Sequence, residues 1–371
     1  MPISPIVMPK WGLAMQEGTL AKWAVSEGAA LKAGQEIADI ETSKIANVYE
    51  SPVGGVLRRI VAKEGDVLPV GALLAVVADK AATDAEVDAF TAEFLANFKV
   101  EAPAEKPPEP QTLEVNGKRL RYLKLGDGDA TPALLIHGFG ADHGGFMFNH
   151  AALAESRPVY AVDLPGHGGS SKDIGDGSAQ ALANDVRGLM TALNLDRVHL
   201  VGHSLGGAIA ILISLANPKK AASLTLIAPA GLGDDINGPF IEGFINETRG
   251  KKLRPVIEML VANPAMVSAD MVEDVLKFKR LDGASAALRT IADRNFSGGR
   301  QRGSLRKQLA GLGVPVLVIW GDKDQVLPAA HGTGLGQSVQ VLTLKDAGHI
   351  PHMEKANEVN AAVGKHLAAA D

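Results

Sequence analysis

Cysteine is absent from this chain of 371 residues, and its absence removes several kinds of chemistry. Without a thiol there is no disulfide, no thiolate metal site and no cysteine nucleophile. No group of histidines and carboxylates has metal-ligand spacing either, so we expect no metal. Neither a G-x-G-x-x-G segment nor a P-loop occurs in a strand–helix context, which excludes a nucleotide cofactor held in that way. The lack of cysteine fits a reducing, cytoplasmic compartment.

The chain also has no dominant charge and no long apolar run. Its 37 basic and 42 acidic side chains leave a formal net charge of −5, which gives no general attraction to nucleic acid or to a membrane surface. The longest uncharged apolar stretches, 67–78 and 208–216, are shorter than the ~18 residues that span a bilayer. Residues 1–15 lack the pattern of a secretory signal. We expect a soluble protein.

An internal repeat occupies the first eighty residues. A shift of 37 positions places Gly18 on Gly55, Leu20 on Leu57, and Gly34 on Gly71. Both copies alternate short apolar runs with glycine turns, a pattern typical of short β-strands. Two such halves, each with one apolar face, would bury those faces against each other. The repeat therefore predicts a small β-sandwich.

Lys44 lies between the two copies, in the segment Glu41-Thr42-Ser43-Lys44-Ile45. Pseudo-twofold symmetry would place this lysine near the tip of a hairpin. Repeat and segment together resemble the lipoyl domains of 2-oxoacid dehydrogenase complexes, and the resemblance implies lipoic acid in amide linkage on Lys44. Ser43 and Ile45 replace the Asp and Ala that are commonest in that family. Biotin carriers are the alternative, but methionines flank their lysine.

A different composition follows at residues 80–111. Apolar residues within 84–98 have near-helical spacing and predict a short amphipathic helix, whereas 100–111 is rich in proline and charge, as in semi-rigid linkers. We therefore divide the chain into a carrier domain at 1–79, a helical and Pro-rich linker at 80–111, and a large domain at 112–371.

Strand-like and helical segments alternate through the large domain. Candidate strands are 133–136, 159–162, 198–201, 224–227, 314–319 and 340–344, and candidate helices are 179–193, 207–216 and 356–369. Such alternation predicts a mostly parallel sheet covered by helices on both faces. Residues from about 230 to 310 interrupt it with helix-like sequence and read as a helical cap.

Ser204 lies at the centre of a G-x-S-x-G motif, residues 202–206, directly after a predicted strand and before a helix. Strand, sharp turn and helix is the geometry that exposes a nucleophilic serine. A serine hydroxyl also needs a base, and the base needs a carboxylate that orients it. Asp322 and Asp324 follow one later strand, and His349 and His352 follow the last one.

The order of these motifs and their positions at strand ends resemble those of the α/β-hydrolase superfamily, and the resemblance covers residues 112–371. In that family's W-G-x-x-D-x-x-x-P pattern the acid is the later aspartate, so the resemblance implies a triad of Ser204, Asp324 and His349. Asp322 then becomes a loop residue, and His352 supports the loop.

Residues His137-Gly138-Phe139-Gly140 follow the strand 133–136 and match the same family's oxyanion loop. The resemblance implies that the backbone N–H groups of Phe139 and Leu205 stabilise the oxyanion. It also implies a structural turn at residues 163–170.

A lipoyl-like domain joined to an α/β-hydrolase-like domain resembles the acetyltransferase components of acetoin-cleaving systems. The H-x-x-x-D-G motif of the usual 2-oxoacid dehydrogenase acyltransferases is absent from the sequence. The implied activity is transfer of an acetyl group from the lipoyl arm on Lys44 to coenzyme A. The implied partners are decarboxylating and dihydrolipoamide dehydrogenase components of a multienzyme complex.

Two other functions fit the same motifs. The chain is alternatively a serine ester or thioester hydrolase with an appended lipoyl carrier, or a mobile carrier whose hydrolase-like domain only supports assembly. Formation of acetyl-CoA rather than free acetate separates transfer from hydrolysis, and the effect of replacing Ser204 tests the scaffold hypothesis.

Overall fold

A computed structural model describes residues 3–11, 15–42, 46–99 and 108–371 of the chain. The chain divides into two compact units, Met1–Pro107 and Pro108–Asp371, which are taken separately below. In the described part of the chain, no helix is long and apolar enough to cross a membrane. Lys44, the predicted attachment site, lies outside the described residues.

The described residues of the first unit form eight short strands and one helix. They are β1 (Ser4–Val7), β2 (Glu17–Trp23), β3 (Ala30–Leu31), β4 (Glu36–Glu41), β5 (Ala46–Glu50), β6 (Gly55–Ile60), β7 (Val67–Pro69), β8 (Leu73–Ala78) and α1 (Asp84–Asn97). The strands form two antiparallel sheets with the orders β1-β8-β6-β3 and β5-β4-β2-β7. The predicted sandwich is confirmed.

The 37-residue repeat is visible in the backbone hydrogen bonds of this unit. Gly28 N–H donates to the carbonyl oxygen of Leu57, and Gly65 N–H donates to that of Leu20, both at 2.7 Å. These glycines have φ values of 88° and 91°, a left-handed conformation that residues with a Cβ rarely adopt. Residues 37 positions apart thus have the same conformation and exchange equivalent partners between the copies.

Strands β4 and β5 form the hairpin that contains the Lys44 segment. Glu41 is paired with Ala46 at its end, so the four residues 42–45 connect the two strands. In the core below, Leu20 and Leu57 are fully buried, as are Ile37 and Leu74. Each pair is related by the same 37-residue shift, so the two copies contribute equally to the core.

Ten strands and ten helices make up the second unit. The strands are β9 (Gln111–Val115), β10 (Lys118–Leu125), β11 (Ala133–Ile136), β12 (Val159–Val162), β13 (Val198–His203), β14 (Ala221–Ile227), β15 (Phe296–Ser297), β16 (Arg300–Gln301), β17 (Val316–Gly321) and β18 (Val339–Leu344). The helices are α2 (Met147–Ala154), α3 (Ala179–Ala192), α4 (Leu205–Ala216), α5 (Gly238–Asn246), α6 (Gly250–Glu258), α7 (Ala269–Lys279), α8 (Ala284–Asn295), α9 (Arg306–Leu309), α10 (Pro351–Glu354) and α11 (Ala356–Ala368).

Eight of these strands form one sheet with the order β18-β17-β14-β13-β11-β12-β10-β9. Its pairs from β12 to β18 are parallel, as predicted, while β10 and β9 pair antiparallel at one edge. These two strands and α2 were missing from the prediction. Gln111, which the sequence placed at the end of the linker, is the first residue of β9.

Between two strands that are neighbours in this sheet, the chain forms a layer of helices. Strand β14 ends at Ile227 and its neighbour β17 begins at Val316, and the chain between them forms α5 to α9 and the small hairpin β15–β16. Because β14 and β17 pair directly, the intervening helices lie outside the sheet as a cap. Their apolar side chains continue the core of the sheet, among them Phe240, Phe244, Leu253 and Ile257.

Candidate active site

Ser204 lies in the sharp turn between β13 and α4. Its φ of 52° and ψ of −117° are strained for a residue with a side chain. The turn can close because its neighbours are glycines: a Cβ on Gly202 would lie 2.4 Å from the carbonyl oxygen of Gly206, and a Cβ on Gly206 would lie 2.1 Å from that of Ile136. The G-x-S-x-G pattern therefore makes this strained, close-packed turn sterically possible.

Three predicted residues come together at the carboxyl ends of β13, β17 and β18. Ser204 Oγ and His349 Nε2 are 3.0 Å apart, and His349 Nδ1 is 2.8 Å from Asp324 Oδ2. All three side chains are nearly or completely inaccessible to solvent, with Ser204 7% exposed. Parallel strands end on the same side of a sheet, which explains how residues 120 and 145 positions from Ser204 reach it. The arrangement is a hydroxyl–imidazole–carboxylate relay.

Asp324 is held by a dense set of donors. Its Oδ1 accepts from the backbone N–H groups of Val326 at 2.8 Å and Leu327 at 2.9 Å, and its Oδ2 accepts from Trp320 Nε1 at 2.9 Å. These donors fix the position of the carboxylate group. Asp322, the other candidate acid, is exposed. Trp320 had no predicted role of its own, although its spacing of four residues from Asp324 was a usable signal.

The predicted oxyanion loop lies against the serine turn. A Cβ on Gly138 would lie 3.0 Å from Ser204 Cβ and 2.9 Å from His203 Nδ1, so the loop and the turn are in direct contact. Among the hydrogen bonds of the described residues, none uses the backbone N–H of Phe139 or of Leu205. Two unengaged donors beside a serine hydroxyl are what a developing oxyanion requires.

The ring of Phe139 faces the cap. Its centroid is 5.8 Å from that of Phe244 on α5 and 6.2 Å from that of Phe296. Phe244 also covers Gly140, where a Cβ would lie 2.3 Å from its ring. These aromatic contacts make an apolar wall beside the loop that carries Phe139.

Buried neutral histidines support the relay. Burial, together with the imidazoles of His352 and His349, holds the pKa of His203 well below its usual range. The ring is therefore neutral, and its Nε2–H donates to the carbonyl oxygen of His349 at 2.9 Å. His352 packs against His203 with ring centroids 4.6 Å apart, and burial lowers its pKa to about 3. The ring of His203 also lies 4.9 Å from that of His349, so both neutral rings contribute to the packing around His349.

Asp163 organises the turn at residues 163–170. Its Oδ1 accepts from the backbone N–H of His143 and lies 2.7 Å from His143 Nδ1, while Oδ2 accepts from Gly169 N–H. Burial raises the pKa of Asp163, but hydrogen bonds to His143 and its charge outweigh burial and leave the pKa lowered. Asp142 brings a further carboxylate close to this pair. The oxygens of Asp163 are engaged in holding the turn, which is a structural use of the cluster.

Comparison with known families gives two matches along the chain. Residues 131–356 match the model of the alpha/beta hydrolase fold, and residues 4–77 match that of biotin-requiring enzymes, which covers biotinyl and lipoyl carriers. A solved meta-cleavage product hydrolase from Pseudomonas fluorescens has a TM-score of 0.65 at 22% identity, covering 70% of this chain and 98% of that one. At that identity the likeness concerns the fold alone.

Two curated relatives match almost the whole chain. Both are named "Dihydrolipoyllysine-residue acetyltransferase component of acetoin cleaving system". The protein from Pseudomonas putida is 45% identical over 96% of both chains. The protein from Cupriavidus necator is 43% identical over 98% of this chain and 97% of its own. The likeness therefore includes both units and the segment between them.

Proposed function

Because the chain belongs to the alpha/beta hydrolase fold family and, along nearly its whole length, to the family of dihydrolipoyllysine-residue acetyltransferase components of acetoin cleaving systems, we propose that it transfers an acetyl group from a lipoyl arm to coenzyme A. The observation that carries this proposal is the relay of Ser204, His349 and Asp324 in a chain that also contains a carrier-type sandwich. A carrier brings the acyl group, and a serine relay accepts it.

Lys44 would hold the lipoyl group. The pairing of Glu41 with Ala46 leaves a connection of four residues between β4 and β5, and Lys44 belongs to it. A connection this short between two paired strands is compatible with attachment at its lysine. When bound in amide linkage, lipoic acid supplies a dithiol that carries an acetyl group as a thioester.

In the first half of the proposed reaction, Ser204 Oγ attacks the carbonyl carbon of the acetyl thioester. His349 Nε2 takes the hydroxyl proton and then gives it to the departing thiolate sulfur as the carbon–sulfur bond breaks. Asp324 keeps the imidazole oriented and stabilises its protonated form. The backbone N–H groups of Phe139 and Leu205 would stabilise the charge on the carbonyl oxygen in the tetrahedral state.

In the second half, His349 removes the proton from the thiol of coenzyme A, and the thiol sulfur attacks the acetyl-Ser204 ester. The carbon–oxygen bond breaks and the proton returns from His349 to Ser204 Oγ. Water is a competing acceptor at this stage. The apolar wall of Phe139, Phe244 and Phe296 would favour transfer over hydrolysis by restricting its access.

Decarboxylating and dihydrolipoamide dehydrogenase components would complete the reaction cycle. The first would load the acetyl group onto the arm and the second would reoxidise the dithiol afterwards. We place this assembly in the cytoplasm, in agreement with a chain that has no cysteine to oxidise.

The test uses the full-length protein expressed with lipoate. Intact mass should show a lipoyl increment that is absent in Lys44→Arg. After acetylation of the arm and addition of coenzyme A, the wild type should form acetyl-CoA, and Ser204→Ala should form it about 10⁶-fold more slowly, the size of the loss when a serine nucleophile is removed. Ser214→Ala is the matched control, because Ser214 Oγ is buried without a hydrogen-bond partner among the described residues.

Each alternative function has its own result in this assay. Free acetate as the main product would indicate a hydrolase with an appended carrier. Normal acetyl-CoA formation by Ser204→Ala, with lipoylation intact, would contradict a role for the serine and leave the second unit as a scaffold.

A further inference from the structure

A segment of the cap between α6 and α7 lies backbone to backbone against the loop that carries His349. Leu260 directly follows Met259, the capping residue of α6. Its carbonyl oxygen accepts from the N–H groups of His349 at 2.8 Å and Ile350 at 3.2 Å. A Cβ on Gly348 would lie 2.7 Å from the same oxygen and 2.8 Å from the nitrogen of Ala262. Residues 260–262 and 348–350 thus form one close junction.

Glu354 bridges the two sides of this junction. Its Oε1 accepts from Gly348 N–H at 2.7 Å, and its Oε2 accepts from Ala262 N–H at 2.8 Å. The side chain is 6% exposed. One carboxylate therefore pairs a donor of the cap segment with the donor next to His349.

Holding this carboxylate costs folding free energy. Burial raises the pKa of Glu354 to about 7, although the two N–H donors act in the opposite direction. Asp324 also raises this pKa and Lys355 lowers it. A buried acid is an unfavourable way to stabilise a fold, but it offers two acceptor oxygens on one side chain, which an amide does not.

We propose that Glu354 is a positioning residue that couples the seating of the cap to the orientation of His349. The inference rests on the proposed role of His349 as the base. With the cap in place, Leu260 and Glu354 together hold the backbone on both sides of the imidazole. Displacement of residues 260–262 removes these contacts at once, so the relay is assembled when the cap is seated and the acyl-enzyme is covered.

The first test compares Glu354→Gln with Asp185→Asn, a matched loss of a buried carboxylate that pairs with Lys118. The amide NH₂ of the glutamine would face an N–H donor at the junction. We expect the rate at which a fluorophosphonate probe labels Ser204 to fall by about 10- to 10²-fold, the effect of a small misplacement of a catalytic group. Asp185→Asn should label at the wild-type rate.

Hydrogen exchange then distinguishes coupling from a local effect. In Glu354→Gln, peptides covering residues 260–262 and 346–350 should both gain deuterium faster than in the wild type, and neither should do so in Asp185→Asn. A second measurement needs no substitution: labelling of Ser204 in the wild type should slow exchange in both segments together. An effect confined to the histidine loop would overturn the coupling.

The outcomes separate this inference from the proposed function. In one outcome the probe labels the wild type but not Ser204→Ala, and it labels Glu354→Gln at a rate within twofold of the wild-type rate. Glu354 then has no positioning role, while the proposed serine relay is still supported. If the wild type fails to label, the proposed role of the serine falls, and this inference falls with it.

Discussion

Asp324 illustrates what single residues contribute to the relay. Each of its two carboxylate oxygens has two hydrogen-bond partners. One of the four donors is the indole N–H of Trp320, which also donates to the carbonyl oxygen of Leu327 at 3.1 Å. Trp320 is fully buried. A rigid donor of this kind fixes the carboxylate that in turn orients His349.

Trp320→Phe should therefore weaken both stability and activity. Loss of the indole N–H leaves Leu327 O unpaired and removes one donor from Asp324. We expect the free energy of unfolding to fall by about 1–3 kcal/mol and Ser204 labelling to slow by roughly tenfold. Trp23→Phe is the control, because it removes an equivalent indole bond to Ala62 O in the first unit. Equal labelling by both variants would contradict a role for Trp320 in the relay.

At the scale of elements, helix α5 is a part of the cap that contacts the predicted oxyanion loop. It carries Phe244 against Gly140, and its C-terminal end is held by a buried lysine of α7. Lys279 Nζ donates to the carbonyl oxygen of Phe244 at 2.6 Å and to that of Glu247. A cation at this end also suits the helix dipole, and burial lowers the pKa of Lys279.

Replacement of Lys279 by methionine keeps the unbranched apolar stem and removes the ammonium group that makes these two bonds. We expect the free energy of unfolding to fall by about 1–3 kcal/mol and hydrogen exchange to rise in residues 238–247. Lys277→Met, on the same helix but paired with Asp274 near the surface, should change neither. Unchanged exchange in α5 of Lys279→Met would show that the helix is held by its apolar contacts alone.

Two kinds of element differ in how well their sequence predicts them. The central parallel strands β11, β13 and β17 are predicted to within a few residues, because they are fully buried and have continuous apolar sequences. Strands β9 and β10 were missed, although Leu120 and Tyr122 of β10 alternate with charged residues, as expected for a strand with one buried face. Their antiparallel pairing lies outside the strand–helix alternation on which the prediction depended.

Across the whole second unit, buried histidines make the fold sensitive to acid. Burial lowers the pKa of His150 to about 4 and that of His167 to about 3, and it acts in the same direction on His137, His203 and His352. In the unfolded chain these groups bind protons near pH ~6.5. Between that pH and the folded-state pKa, the unfolded state therefore binds more protons.

The free energy of unfolding should fall as the pH drops below about 6.5. Each such histidine contributes about 1.4 kcal/mol per pH unit until its folded-state pKa is reached. Urea unfolding between pH 7.5 and 5 measures this slope, which should be shallower by one proton in His352→Gln. A free energy of unfolding that does not change between pH 6.5 and 5 would contradict the neutral, buried state of these rings.

Much of this molecule is determined by its sequence. The 37-residue repeat specifies a sandwich because equivalent glycines allow equivalent turns, and the glycines around Ser204 permit the strained turn because no Cβ fits there. These are local steric requirements, and the residue types in the sequence are enough to recognise them.

Only the tertiary structure decided which distant groups meet. It brought the carboxylate of Asp324 to His349, 25 residues away, and it joined Glu354 to Ala262, 92 residues away. Contacts of this kind depend on the positions that the ends of the strands and the cap take in the folded protein. Neither composition nor periodicity specifies those positions.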